Sequence, residues 1–146
     1  MLKLVKKELN IPGELTELEI RLPESQISWR VDGVSRESKT LVEVYSRIGQ
    51  LHGAQKKKIG HDILKLCTIR QVHPDWKDAR LVIAFASPEA NRSIGGWLRA
   101  AAAEWRVELL DVAVEDELKE KLISAQSRQK MVNMPQDIYE SLLNNS

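Results

Sequence analysis

Residues 27–65 read ISWRVDGVSRESKTLVEVYSRIGQLHGAQKKKIGHDILK, two apolar-alternating segments joined by a polar turn and followed by a lysine-bearing helix. In the first segment Ile27, Trp29 and Val31 alternate with Ser28, Arg30 and Asp32, the mark of a strand buried on one face. Asp32 stands at its end, just before Gly33. The second segment, within residues 39–48, carries Glu43 between Val42 and Val44. Two strands joined through residues 35–39 can bring Asp32 and Glu43 together, and paired carboxylates suit a hard divalent cation. The plain alternative is that each acid lies on the wet face of a half-buried sheet.

Outward from this stretch, residues 17–22 alternate Leu18, Ile20 and Leu22 with Glu17, Glu19 and Arg21, giving an earlier strand closed by Pro23. Three strands with short links form an antiparallel meander most economically. Residues 1–9 carry Leu2, Val5 and Leu9 at helical spacing, and Pro12-Gly13 ends that helix. Beyond the loop 49–53 the period changes. Ile59, Ile63, Leu66 and Cys67 predict a helix over about 54–71.

Residues 79–86 (ARLVIAFA) form a nearly continuous apolar run, expected of a central strand covered on both faces. A helix capped at Asn91 or Ser93 and running to about Trp105 precedes a second apolar strand, 107–114. Strand, helix, strand at this spacing predicts a βαβ crossover with parallel strands. A polar amphipathic helix follows, from Glu115 or Asp116 to about Met131, and Pro135 separates a short segment, 136–143. The expected fold class is α/β with α+β character: a mixed central sheet, meander first and βαβ unit after it, helices on both faces. It is read as one domain over residues 1–146.

A chain of 146 residues can bury about two-thirds of its unfolded surface in one core. Its net charge of +1 produces no global field for a polyanion or a membrane surface, so nucleic-acid binding has to come from a local patch. The single cysteine, Cys67, excludes an internal disulfide, and no C-x-x-C pair or His cluster offers a zinc site. Lys3, Lys6 and Lys7 interrupt the N-terminal apolar run, and no segment reaches membrane-spanning length, so a cytoplasmic protein with no membrane partner is expected.

The order of elements, with the acids where they stand, resembles the PD-(D/E)XK nuclease superfamily, the restriction-endonuclease-like fold. The resemblance spans about residues 17–114 and rests on Val-Asp-Gly at 31–33, Leu-Val-Glu-Val at 41–44 and Gln-Lys-Lys-Lys at 55–58. It implies that Asp32 and Glu43 bind Mg²⁺, with Mn²⁺ as a substitute, and that the main-chain carbonyl of Val44 is a third ligand. It also implies a DNA endonuclease. At this size two copies would be needed to cut both strands, hence a homodimer.

The lysine of that motif stands two residues after the second acid, where this chain has Tyr45. Tyrosine supplies no fixed positive charge at neutral pH. Some members of the superfamily carry the lysine on the following helix, and there Gln55, Lys58, Asp62 and Lys65 fall on one stripe at steps of three and four. Lys58 is the expected replacement, with Gln55 orienting a water or phosphate beside it. Cations at a helix N-terminus run against the macrodipole, which an acidic cluster or a phosphate would offset.

Glu8 and Glu19 are candidates for a further acid. His52, His61 and His73 read as exposed polar residues. Trp97 and Trp105 are expected to pack on the sheet or a partner chain, and Trp76 to be exposed among cations. The alternative function, kept open by Tyr45, is a catalytically silent PD-(D/E)XK-like protein serving as a binding or assembly module.

Overall fold

Thr16–Arg21 (β1), Ser28–Ser35 (β2) and Thr40–Tyr45 (β3) pair antiparallel in sequence order, as short links between alternating segments require. β3 then pairs in parallel with Arg80–Phe85 (β4), and β4 in parallel with Val107–Asp111 (β5). The result is a five-stranded mixed sheet in the order β1-β2-β3-β4-β5, with the meander before the βαβ unit. The computed structural model describes residues 1–132, with side chains through residue 130. The expected C-terminal segment 136–143 lies outside the described residues.

Strand alternation decides what each face buries. Leu41 and Tyr45 of β3 pack with Ile59, Ile63, Leu66 and Ile69, which recur at helical spacing along Gly53–Val72 (α2). Val42 of β3 joins Val82 and Ala84 of β4 in a second layer beneath Leu2–Glu8 (α1), whose Val5 is fully buried. Helices therefore cover both faces, and β3 and β4 sit at the centre. Gly33 belongs to the α1 layer by necessity: a Cβ there would lie 2.9 Å from Leu2 Cδ2 and 3.2 Å from Leu15 Cγ.

Two expectations are corrected. The helix after β4 is broken into Pro88–Arg92 (α3), capped by the Ser87 hydroxyl rather than by Asn91 or Ser93, and Gly96–Glu104 (α4). Gly96 has φ +57°, which a continuous right-handed helix does not allow. Ser93 instead pins the loop, accepting the Leu51 N–H at 3.1 Å. Trp76, expected to be exposed, is 1 % accessible, with Lys39 Nζ 5.2 Å and Arg36 Cζ 5.8 Å from its ring centroid. The cations around it cover the ring and keep their heads wet.

All five strands and α1 to α4 lie in one unit, residues 1–114. Asp116–Val132 (α5) belongs to a second unit that begins at Glu115. Asp116 and Glu117 stand in its first turn, where the helix dipole favours acids, and Lys121 pairs with Glu117 at 3.4 Å. No helix among the described residues is long and apolar enough to cross a membrane.

Candidate functional site: an acid pair facing a helix lysine

The site forms where β2 departs from regular pairing. On β1, Thr16 and Leu18 lie two residues apart, while their partners on β2, Val34 and Val31, lie three apart. β2 therefore carries one extra residue within 31–34. A bulge of this kind re-aims a side chain, and here it falls on Asp32 and Gly33. The β2–β3 register also ends at Gly33↔Val42. Beyond it, the Asp32 carboxylate takes the place of a backbone acceptor: Val44 N–H donates to Asp32 Oδ2 at 2.9 Å.

Glu43 lies one residue past that last pair and follows Leu41 and Tyr45 onto the α2 face. It is only 5 % exposed. Its carboxyl lies within hydrogen-bonding reach of Asp32, so the two acids stand on adjacent strands and the same face. Burial raises the Glu43 pKa from 4.5 to about 8; Lys65 opposes this and the neighbouring Asp32 reinforces it.

Lys65, further along α2, is the cation that meets the acids. Its Nζ lies 2.5 Å from Glu43 Oε1, 3.0 Å from the Arg30 carbonyl oxygen and 3.7 Å from Asp62 Oδ1. The approach to Glu43 is close but off-axis, and Oε1 is left buried with no aligned donor among the described residues. Asp62 is itself buried and accepts the Tyr45 hydroxyl proton at 2.8 Å. Tyr45 is held far above its ordinary pKa, first by burial and then by the Asp62 charge, so it remains a phenol and a donor. Tyr45, Asp62 and Lys65 thus form a chain of contacts ending on Glu43.

The helix residues chosen from sequence stand elsewhere. Lys58 Nζ lies over the Tyr45 ring, 5.3 Å from its centroid, rather than against either acid. The reason is axial. α2 packs against β3 after a reversal of the chain, so early helix residues lie beside the end of the strand and later ones beside its middle. Lys65 is seven residues beyond Lys58, about 10 Å along the helix, which brings it to the level of Glu43. Gln55 is used in closing the helix N-terminus, where its Oε1 accepts the His52 N–H at 2.8 Å.

Glu19 alternates with Leu18 and Ile20, which pack in the α2 layer, so it projects to the other face. Glu8 lies exposed on α1, across the sheet from the acid pair. His61 is exposed, with Nδ1 3.9 Å from Asp62 Oδ1, and His73 Nδ1 accepts the Asp75 N–H. Asp62 and Lys65 share the stripe of Lys58 and Gln55 in the sequence. Their buried setting is the signal that the stripe alone does not carry.

Two carboxylates fit a hard cation that retains much of its water shell. Glu43 offers a buried oxygen without an aligned donor, and a raised proton affinity that a second cation would relieve. The Val44 N–H turns toward β2, and a strand residue's C=O leaves on the same side as its N–H. The Val44 carbonyl therefore belongs to this edge. Among the described residues no cluster of three or more His, Cys, Asp or Glu side chains is assembled to hold a metal. No family model, curated protein or solved structure matches this chain.

Proposed function

We propose that this chain is a Mg²⁺-dependent phosphodiesterase of PD-(D/E)XK type that hydrolyses DNA, acting in the cytoplasm as a homodimer. The observation that carries the reading is buried Glu43, with half-buried Asp32 beside it, meeting Lys65 from the following helix. Asp32 and Glu43 would hold the cation, Mn²⁺ serving as a substitute, with the Val44 carbonyl beside them. When bound, the cation acidifies a water and polarises the scissile phosphate. Lys65 places a positive charge where negative charge develops on that phosphate. Asp62, anchored by the Tyr45 hydroxyl, keeps the Lys65 stem turned to the acids. Tyr45 thereby supports a lysine supplied from elsewhere rather than supplying one.

The competing reading is a catalytically silent relative serving as a binding or assembly module. It draws on Tyr45 at the motif-lysine position and on Lys65 already closing on Glu43. Incubation with duplex, single-stranded and branched DNA in Mg²⁺ or Mn²⁺ decides between them, with Asp32→Asn and Glu43→Gln as controls. Cleavage of one of these substrates that both variants lose is the expected result. Metal binding without cleavage would favour the silent relative, and no metal response would remove both.

A further inference from the structure

α2 carries the site residues on one flank and an open groove on another. The groove, about 1120 Å³, runs between α2 and α4. Its floor is mostly apolar, with Ile63, Leu64, Ile94 and Leu98. Its α2 rim carries Lys56, Lys57 and His61, and no Asp or Glu among the described residues lines it. Arg70 is engaged by the Ala79 and Trp105 carbonyls. Trp97 and Trp105 stand on the α4 side, 78 % and 59 % exposed. Two indoles this open are unusual on a protein surface and mark a binding face.

We propose that this groove binds single-stranded DNA, its phosphates against the α2 cations and its bases stacked on Trp97 and Trp105. This extends the proposed DNA chemistry by naming the substrate form, and it rests on that reading for the link to cleavage. The rim lysines favour an anion, and the apolar floor favours one that also brings flat apolar faces. The indoles select a strand with free bases, because a duplex keeps its base faces stacked inside, whereas exposed bases stack on aromatic rings with little sequence preference. Trp97 and Trp105 are eight residues apart, about 12 Å along a helix, or roughly three to four nucleotide steps at 3.4 Å each. His61 joins the groove to the site: it lines the one and touches Asp62 in the other. A strand lying in the groove can continue over α2 toward Asp32, Glu43 and Lys65.

The test is fluorescence anisotropy of a 5′-labelled twelve-residue oligodeoxythymidylate, titrated with the full chain in EDTA, where cleavage plays no part. The oligonucleotide should bind, more weakly as salt rises, and a duplex of the same length should bind more weakly still. Trp97→Ala/Trp105→Ala should weaken binding about tenfold or more. Lys56→Gln/Lys57→Gln should weaken it and flatten the plot of log K against log salt by about 0.7 for each phosphate no longer neutralised. All four side chains are on the groove, and circular dichroism checks each variant's fold.

Equal oligonucleotide affinity in both double variants overturns the proposal. So does a dimer that becomes monomeric in Trp97→Ala/Trp105→Ala while affinity is unchanged, which makes the groove a protein interface. Binding abolished in these variants with no metal-dependent cleavage by the native chain would keep the groove and sink the phosphodiesterase. Cleavage with unaltered affinity would do the reverse.

Discussion

Lys65 Nζ stands 2.5 Å from Glu43 Oε1, with only 11 % of the lysine side chain and 6 % of the glutamate side chain exposed. Two groups withdrawn this far from water are each costly alone, and their separation reports which helix residue the sheet has selected. Their contact also makes the site's chemistry depend on proton and cation occupancy together.

The choice of lysine is tested by Lys65→Met beside Lys58→Met. Lys65→Met should abolish metal-dependent cleavage, while Lys58→Met should retain most of it, giving up only its place over the Tyr45 ring. In urea denaturation, Lys65→Met should cost more at high pH than near pH 6, because Lys65 holds the Glu43 pKa down and its loss makes ionising that buried carboxyl costlier. The opposite pattern of activity loss would return the role to Lys58.

A cation that uses both acids should stabilise the fold. At a hundredfold excess over Kd, Mg²⁺ or Mn²⁺ should add about 2.7 kcal/mol, visible as a rise in Tm. Asp32→Asn/Glu43→Gln should lose that response, because the two carboxylates that would hold the cation are gone. An equal metal response in the double variant would move the metal to other residues.

The metal-free protein should become less stable from about pH 4.5 to pH 8. Glu43 holds its proton more tightly folded, at about 8, than unfolded, at 4.5. Its contribution is therefore fully present below pH 4.5 and lost as pH rises through 8. Glu43→Gln should remove that slope in denaturation curves taken at pH 5, 6.5 and 8 with EDTA. A slope unchanged by the substitution would assign it to another group.

Tyr45→Phe removes the donor to the buried Asp62 and should cost about 1–3 kcal/mol. If Asp62 orients Lys65, the same change should lower kcat with little effect on metal affinity. A stability loss with kcat intact would leave Tyr45 a packing residue alone.

Periodicity in the sequence was enough for a mixed sheet with a meander before a βαβ unit, while the parallel pairing of β3 with β4 came from the tertiary structure. Alternation in residues 17–22, 27–34 and 39–48 marked three half-buried strands, and the apolar runs 79–86 and 107–114 marked covered ones. Burial on one face repeats every two residues and burial on a helix every three to four, so these patterns are local. The acids were legible as carboxylates on neighbouring strands, but their shared site was not: alternation sets Asp32 opposite Val31, and the bulge at 31–34 re-aims it. The helix break at Gly96 was missed because Asn91 and Ser93 offered local caps, while the left-handed φ follows from how the loop is pinned to Leu51.

Tertiary structure alone selected the partner of the acids. The stripe Gln55, Lys58, Asp62, Lys65 was visible, but a helical period specifies an angle around the axis and leaves the level along it undetermined. That level depends on where the chain reverses between Tyr45 and Gly53 and on how α2 seats against β3. Seated there, α2 brings Lys65 to Glu43, ties Asp62 to Tyr45 and leaves Gln55 to cap the first turn. Burial of Trp76 and exposure of Trp97 and Trp105 were decided the same way, since an indole's environment comes from elements distant in sequence.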